Sequence, residues 1–322
     1  MDLLLQGLRA AGEATRLRIL GLCAHAELNV SELVEILGQS QPRLSRHLRL
    51  LVEAGLLERY QEGNWAYYRL NEAPGSGELA RTLIDLLPAD DPLHAEDLAR
   101  LQRVKEAWAV KVAAYFQKNA PDWSRVSALH VDDRAVDAAL LERLSGTRIG
   151  DLLDLGTGTG HTLELLGRKA ESGVGIDRSL DMLKVARANV WRAGLRNCQV
   201  RLADMLRLPY GAGSFDTVAL RMVQHFTESP AAAIAEAARV LRPGGRLLVV
   251  DFAPHDRNEL REEHAHRWLG FGDTALNDML EAGGLVPETP VRVESGPMTV
   301  MLWLGRRPAN DARAPDPALE VG

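Results

Sequence analysis

The sequence predicts a two-domain α/β protein, with a mostly helical N-terminal domain that ends in a β-hairpin, followed by a doubly wound sheet. Short helices and a hairpin account for residues 1–87. From residue 149 onward, six short apolar strands alternate with helical segments, and a glycine-rich turn, "DLGTGTG", follows the first strand. That alternation is typical of parallel strands with helices on both faces. A length of 322 residues is enough for two such domains.

The N-terminal domain is predicted to be a winged helix-turn-helix. Ser31 is the expected N-cap of one helix, and Ser40 is that of the next helix, in which Pro42 occupies the first turn. Three leucines of this second helix share one face at helical spacing: Leu44, Leu48 and Leu51. The stretch "LLERYQEGNWAYYRL" then alternates as two strands around a turn at residues 62–64. In such a domain the second helix enters the major groove of DNA.

Three arginines give this second helix a local positive charge. Residues 39–50 carry a charge of +3 and no acid, although segment 1–87 has a net charge of −2 and the whole chain has −6. Arginine in a major groove can contact guanine with two hydrogen bonds. The predicted DNA-binding residues are Ser40, Gln41, Arg43, Ser45, Arg46 and Arg49 on the helix, with Asn64 and Tyr67 on the wing.

These stretches resemble the ArsR-type winged-helix repressors over about residues 5–85, chiefly in "LSRHLRLLVEAGLL" and "GNWAYYRL". The resemblance implies a homodimer that binds a double-stranded DNA operator with inverted repeats. Members of the arsenic-sensing branch carry a Cys-x-Cys pair on the preceding helix, where this sequence has Asn29 and Ser31. Because those side chains lack thiolates, we predict no metal site. A winged-helix domain that only dimerises an enzyme stays open as the alternative.

The rest of the sequence indicates the domain layout and the compartment. A helical linker or dimerisation region is predicted at 88–147, a second domain at 148–306, and a disordered Ala/Pro/Asp-rich tail at 307–322. Cys23 and Cys198 are the only cysteines, which argues against a disulfide framework. No basic signal-peptide stretch begins the sequence, and no apolar run approaches the ~18 residues of a membrane span. We therefore expect a cytoplasmic protein with no membrane partner.

A candidate nucleotide site follows the first strand of the second domain. Its predicted residues are Asp154, Gly156, Thr157, Gly158, Thr159 and Gly160. Glycines let the backbone turn sharply and approach a ligand closely. Asp177 ends the next strand, where an acidic side chain can bind both hydroxyls of a ribose. The spacing is GxGxG rather than GxGxxG, which disfavours a nicotinamide dinucleotide.

Together with "RLADMLRLPYGAGSFDTVALRMVQHF" and "VLRPGGRLLVVDF", this turn resembles the class I S-adenosylmethionine-dependent methyltransferases, over about residues 148–306. The resemblance implies a Rossmann-like sheet, with S-adenosyl-L-methionine or S-adenosyl-L-homocysteine as the ligand. It also implies that Asp154 and the glycine turn line the methionine part of the donor. The other implied cofactor-binding residues are Asp177 at the ribose with Arg178 beside it, Ala203, Asp204 and Met205 at the adenine, and Arg221 near the sulfonium.

Histidines are the candidate catalytic residues. His225, His264 and His266, with His255 also considered, are predicted general bases for an acceptor that must lose a proton. The two cysteines lie in different predicted domains, which argues against arsenite methylation, because that reaction uses several thiolates.

The sequence thus predicts an ArsR-type transcription regulator whose second domain senses or uses S-adenosylmethionine or S-adenosylhomocysteine. Its expected partners are DNA, a second copy of the chain and an unidentified small-molecule methyl acceptor. The alternative is a small-molecule methyltransferase whose winged helix only dimerises the enzyme.

Overall fold

The structure is a computed structural model, in which residues 1–62, 65–71, 73, 75–88, 90–120 and 131–309 are described. The chain divides into two compact units, Met1–Lys111 and Val112–Gly322. The division falls inside one helix, Pro92–Asn119, which belongs to the segment that the sequence assigns to a helical linker. Each unit is described by itself below.

The first unit combines helices with a small antiparallel sheet. Its elements are α1 (Asp2–Ala11), α2 (Ala14–Cys23), β1 (Leu28–Asn29), α3 (Val30–Leu37), α4 (Gln41–Glu53), β2 (Leu57–Glu62), β3 (Trp65–Leu70), α5 (Ser76–Asp85) and the first part of α6 (Pro92–Asn119). The strands pair in the order β1-β3-β2. The predicted helix, turn, helix and hairpin are thereby confirmed, although Gly63 and Asn64 of the hairpin turn lie outside the described residues.

The predicted apolar face of α4 lies in the core of this unit. Leu44, Leu48 and Leu51 are fully buried and pack in one cluster with Ile19 and Leu33. Complete burial of a leucine side chain stabilises a fold by roughly 1.5–3 kcal/mol. Because the core fixes one face of α4, the opposite face is held in solvent.

The N-cap of α3 is Asn29, so the prediction of Ser31 is wrong. Asn29 Oδ1 accepts a hydrogen bond from the Glu32 N–H at 3.0 Å, and the Glu32 carboxylate accepts one from the Asn29 N–H at 3.0 Å. This capping box satisfies two main-chain donors and starts the helix at Val30. At the other end Gly38 has a φ of +63°, which lets the chain turn sharply before α4.

The second unit is built around one large sheet. Its further elements are α7 (Asp133–Arg143), β4 (Gly150–Leu155), α8 (His161–Leu166), β5 (Ala170–Asp177), α9 (Leu180–Arg192), β6 (Cys198–Leu202), β7 (Phe215–Arg221), a 3₁₀ turn (Gln224–Phe226), α10 (Pro230–Val240), β8 (Leu241–Phe252), α11 (Glu259–Glu263), α12 (Asp273–Ala282), β9 (Val286–Pro287), β10 (Val291–Ser295) and β11 (Met298–Arg306). All six predicted strands are present, while β9 and β10 were not predicted.

The sheet has the strand order β10-β11-β8-β7-β4-β5-β6, and β9 also pairs with β11. Strands β4 to β8 are parallel, whereas β9, β10 and β11 pair antiparallel. The chain runs from β4 outward through β5 and β6, and then continues from β7 on the other side of β4. In such a sheet, ligands bind outside the carboxyl ends of the strands where the winding direction reverses, here β4 and β7.

Arg307, which the sequence places in a disordered tail, is hydrogen-bonded to the second unit. Its guanidinium donates to the main-chain oxygens of Ala238, at 3.1 Å, and Leu241, at 2.6 Å. Residues 310–322 lie outside the described residues. Within the described part of the chain, no helix is both long and apolar enough to cross a membrane.

Candidate functional site

A cavity lies at the carboxyl ends of β4 and β7, entirely within the second unit. One wall is the glycine turn after β4, from Gly156 to Thr159, together with Asp177 at the end of β5. Another part of the lining is made of aromatic and histidine rings, which include His225 and His266. The cavity therefore brings together residues that the sequence assigns separately to the cofactor and to proton transfer.

The glycines of this turn have positive φ angles, which other residues adopt only with strain. Gly156, Gly158 and Gly160 have φ values of +69°, +53° and +89°. A Cβ added at Gly156 would lie 2.3 Å from Val223 Cγ2, whereas the nearest atom to a Cβ on Gly158 would be the Gly156 oxygen at 4.0 Å. The turn is thus pressed against the segment after β7 at one glycine and leaves open space at the next.

Asp154, near the end of β4, is hydrogen-bonded to this turn. Its side chain is only 1% exposed, and its Oδ2 accepts a hydrogen bond from Thr157 Oγ1 at 2.6 Å. Burial raises the pKa of Asp154 to about 6, and hydrogen bonds from Thr157 and Thr162 partly oppose that rise. Thr157 and Thr162 line the cavity and Asp154 does not. Asp154 therefore acts through its threonine neighbours.

Asp177 lies beside the glycine turn and lines the cavity. Its Oδ2 accepts a hydrogen bond from the Gly158 N–H at 2.9 Å, and its Oδ1 accepts one from the Ser179 N–H at 2.8 Å. Burial raises the pKa of Asp177, and these main-chain donors oppose the rise. Each carboxylate oxygen has a second lone pair, so two vicinal hydroxyl donors can still be bound.

The predicted adenine residues follow β6, next to Asp177. The Ala203 N–H donates to the main-chain oxygen of Asp177 at 3.2 Å, and the Arg178 guanidinium lies 4.0 Å from the Asp204 carboxylate. Met205 follows Asp204 in the same turn. Leu180 and Leu202 in this region are 54% and 56% exposed, so both offer apolar surface beside the predicted adenine residues. Sequence reasoning missed both, although each is an apolar residue within three positions of a predicted acidic ligand.

Arg221, at the end of β7, lines the cavity with its guanidinium already paired. Nη2 lies 2.7 Å from Asp133 Oδ1, and Nη1 lies 2.5 Å from Asp137 Oδ1. His161 Nε2 is 3.0 Å from Asp137 Oδ2. Burial favours a higher pKa of Asp137, but the hydrogen bond from His161 and the charge of Arg221 outweigh it and lower that pKa. The two aspartates were not predicted, and their ion pairs with Arg221 join α7 to the carboxyl end of β7.

The predicted catalytic histidines take different places. His225 and His266 line the cavity, with ring centroids 4.2 Å apart. His264 is not among the lining residues, but its Nδ1 is 2.9 Å from the hydroxyl of Tyr115, which does line the cavity. The ring of His255 is outside the cavity lining, and burial lowers its pKa to about 4.

A buried carboxylate that sequence reasoning missed orients His225. His225 Nδ1 is 2.7 Å from Asp251 Oδ1, and Asp251 is fully buried near the end of β8. Asp251 also accepts hydrogen bonds from three main-chain N–H groups, those of Gln224, His225 and Phe252. The acid in "LLVVDF", at the end of the strand beside β7, was the available signal.

In the first unit, the structure places the predicted DNA-binding residues of α4 on its solvent face. The exposed residues are Ser40, Gln41, Arg43, Ser45, Arg46 and Arg49. Arg49 is 3.6 Å from Glu53 one turn later. Tyr67 is only 2% exposed in β3, so its prediction as a DNA contact is contradicted by burial. Asn64 lies outside the described residues.

Comparison with known families matches each unit separately. The model of the bacterial regulatory protein ArsR family matches residues 13–59, and a methyltransferase domain model matches residues 153–249. The described site residues Asp154, Asp177 and His225 fall within the second match.

Curated relatives match the methyltransferase part. The uncharacterized methyltransferase YcgJ of Bacillus subtilis is 33% identical over 33% of this chain and 42% of its own length. A malonyl-[acyl-carrier protein] O-methyltransferase of Legionella pneumophila is 33% identical over 47% of this chain and 53% of its own length. A demethylmenaquinone methyltransferase of Thermus thermophilus is 40% identical over 38% of this chain and 53% of its own length. The chain spans about half the length of the curated relatives it matches.

One solved structure shows the same fold in the second unit. It is a chain of the complex between the Haloferax volcanii Trm112 methyltransferase activator and a methyltransferase candidate, with 19% identity and a TM-score of 0.51. The match covers 60% of this chain and 97% of that one. This likeness supports the Rossmann-like sheet.

Proposed function

We propose that this chain, which joins an ArsR-family helix-turn-helix domain to an S-adenosylmethionine-dependent methyltransferase domain, is a DNA-binding regulator whose second domain methylates a small molecule. The observation that carries the proposal is that one cavity of the second unit is lined by both groups of predicted residues. The glycine turn and Asp177 form one part of the lining, and His225 and His266 belong to another. A donor and an acceptor bound there would lie in the same cavity.

The residues of the cavity fit S-adenosylmethionine, which supplies a methyl group on a positively charged sulfur. Asp177 offers two carboxylate oxygens to the ribose hydroxyls, and Gly158 leaves room for the ligand beside it. Leu180 and Leu202 offer exposed apolar surface for the adenine ring. Methyl transfer needs the nucleophile in line with the donor carbon, so the main task of the protein is to hold both.

The first unit supports DNA binding through the exposed face of α4. Arg43, Arg46 and Arg49 stand on that face, and the buried leucines opposite fix its direction. Arginines placed in this way can contact guanine edges and phosphates. We assign Arg46 to base contact and Arg49, at the other end of the row, to phosphate contact.

A homodimer is part of the same proposal. The α1 helix exposes four leucines, Leu3, Leu4, Leu5 and Leu8, at 68%, 46%, 42% and 43%. An apolar cluster of this kind on one helix is typical of a surface that a partner covers. Two copies joined there would present two arginine helices to an operator with inverted repeats.

Cofactor occupancy is proposed to regulate DNA binding. A ligand can shift a protein between two states only if it binds them with different affinity. The effect must then be reciprocal, so DNA must change ligand affinity by the same factor.

The test is fluorescence anisotropy on the DNA upstream of the chain's own gene, with excess nonspecific competitor and titrated S-adenosylmethionine or S-adenosylhomocysteine. We expect binding that resists competitor and shifts with either ligand. Arg46→Ala should weaken specific binding by about tenfold to a hundredfold, because a bidentate base contact is worth ~1–3 kcal/mol. Asp177→Ala should retain DNA binding and lose the ligand effect.

The matched control for Arg46 is Arg187→Ala, an exposed arginine of the second unit. Equal loss in both variants would contradict base reading by α4. Specific binding that ignores both ligands would separate the two activities, while a complete lack of specific binding would favour the methyltransferase whose winged helix only dimerises it.

A further inference from the structure

We infer that the methyl acceptor is a flat aromatic compound with an ionisable hydroxyl group, and that His225 removes the proton of that hydroxyl. This inference rests on the proposed methyl transfer and names the acceptor class for the same cavity. Three features carry it: the ring-lined wall, the fixed tautomer of His225, and the strained backbone beside the histidines.

The acceptor wall is made almost entirely of ring faces and edges. The centroid of Phe226 is 4.1 Å from that of His225 and 4.8 Å from that of Phe116. Phe252 stacks on His266 at 5.6 Å, and Tyr115 lies 6.3 Å from Phe226. These distances are contact distances, so the rings pack on one another and present a continuous aromatic surface to the cavity. Such a surface suits another planar ring, which can stack on one side chain and meet the edge of the next.

Asp251 fixes His225 as a proton acceptor toward the cavity. A carboxylate only accepts hydrogen bonds, so the proton of the neutral ring is on Nδ1, 2.7 Å from Asp251 Oδ1. The lone pair is then on Nε2, in a ring that lines the cavity. Three main-chain N–H groups hold Asp251 in place, so the imidazole cannot easily reorient.

The backbone next to the histidines is strained. Within the described part of the chain, the non-glycine residues with positive φ are Met222, at +51°, and Ala265, at +55°. Met222 lies three residues before His225, and Ala265 directly precedes His266. Such conformations are strained and gather at functional sites. Here the strain accompanies the two histidines that face the cavity.

The proton and electrons balance without another reactant. The acceptor O–H gives its proton to His225 Nε2, and the oxygen forms a bond to the methyl carbon while the carbon–sulfur bond breaks. The sulfur keeps that electron pair and leaves as the neutral thioether of S-adenosylhomocysteine. The imidazolium that results is paired with Asp251, which stabilises its charge.

An ammonium or tertiary amine acceptor fits the His225–Asp251 pair less well. Aromatic ring faces attract cations, so the ring-lined wall by itself suits an amine as well as a phenol. The carboxylates of Asp133 and Asp137 are already paired with Arg221, and Asp137 is also paired with His161. A tertiary amine has no proton to lose, so the His225–Asp251 pair would have no proton to accept from it.

The experiment uses 4-nitrophenol, whose phenolate absorbs visible light and whose neutral form does not. The full-length protein is first saturated with S-adenosylhomocysteine, and calorimetry establishes that it binds. Titration with 4-nitrophenol below its solution pKa should then give the phenolate band at saturation. Incubation with S-adenosylmethionine should yield 4-nitroanisole, and no methylated product from an aromatic amine of the same size.

Two variants and a control test the residue roles. His225→Gln should bind 4-nitrophenol without the phenolate band and lower turnover by roughly 10²- to 10⁴-fold. Asp251→Asn, a change in a positioning residue, should move the phenolate band to higher pH. His25→Gln, at an exposed histidine of the first unit, should behave as the parent protein. Circular dichroism and S-adenosylhomocysteine affinity report whether each variant is folded.

The outcomes are distinguishable. If S-adenosylhomocysteine does not bind the parent protein, the proposed function fails and this inference fails with it. If it binds but 4-nitrophenol does not, or if amines are methylated in preference, the acceptor class is wrong while the proposed function survives. If the phenolate band persists in folded His225→Gln, His225 is not the base.

Discussion

At the scale of single residues, burial disfavours the charged form of Asp154, although the charged form is the better acceptor for Thr157 in the cofactor turn. The carboxyl group is 1% exposed, and burial raises its pKa from 3.8 to about 6. In the folded state the proton is thus held more tightly than in the unfolded chain. The stability that this proton contributes is fully present below pH 4 and is lost as the pH rises past 6. At neutral pH the charged carboxylate costs the fold roughly 3 kcal/mol at most.

We therefore predict that Asp154→Asn stabilises the ligand-free protein at pH 8 by about 1–3 kcal/mol, since the amide cannot become charged. The gain should shrink toward zero at pH 4. Urea unfolding at several pH values measures it, and S-adenosylhomocysteine affinity should fall in the same variant because Thr157 loses its charged acceptor. Asp256→Asn, at an exposed position, should show no such trend. A variant less stable at every pH would refute the argument.

At the scale of an element, the turn between β4 and α8 depends on close approach as well as on φ. Gly156 and Gly194 both have a φ of +69°. A Cβ at Gly156 would meet Val223 Cγ2 at 2.3 Å, whereas at Gly194 it would meet nothing within 4 Å. The two positions therefore separate the cost of backbone strain from the cost of a clash.

Gly194→Ala should lower the free energy of unfolding by about 1 kcal/mol through backbone strain. Gly156→Ala should lower it by about 1–3 kcal/mol more and should also weaken S-adenosylhomocysteine binding, because Val223 or the turn must move. Chemical denaturation and calorimetry on both variants measure the two effects. Equal losses in stability, with unchanged ligand affinity, would show that the turn absorbs the extra methyl group.

Local patterns were enough to predict the elements, but contacts between distant residues were not. The leucine spacing of α4 and the apolar strands β4, β5 and β7 depend on periodicity within a few residues. Arg221 instead meets Asp137 across 84 positions, and His225 meets Asp251 across 26. No periodic pattern encodes such pairs.

The burial of Tyr67 was also beyond the local pattern. Alternation in β3 places Tyr67 and Tyr68 on opposite faces, and the structure buries both, with Tyr68 in the core cluster of the first unit. Strand β1, which pairs with β3 on the side away from β2, has only two residues and left no recognisable pattern in the sequence.

At the scale of the whole molecule, the distribution of charge distinguishes nonspecific from specific DNA binding. The net charge of −6 opposes general association with DNA, so binding must depend on the few exposed arginines of α4. We predict that the logarithm of the DNA affinity falls linearly with the logarithm of salt concentration, with a shallow slope. Each arginine that contacts a phosphate should contribute about 0.9 to that slope.

Arg49→Ala should therefore flatten the salt dependence by about 0.9, whereas Arg187→Ala should leave it unchanged. Anisotropy titrations over a range of potassium chloride concentrations measure both. A slope that Arg49→Ala leaves unaltered would remove this residue from the phosphate contacts.

The positive φ of Met222 and Ala265 has a consequence for how such sequences diverge. Glycine at either position would relieve the strain, so selection for stability alone drives both positions toward glycine. Glycine would also admit many other conformations, so selection for turnover favours the larger residues, whose narrower backbone range keeps the following histidine rings in place. A descendant that only sensed its ligand would no longer be under selection for turnover. Glycine at these two positions would then identify the descendants that bind the ligand without transferring its methyl group.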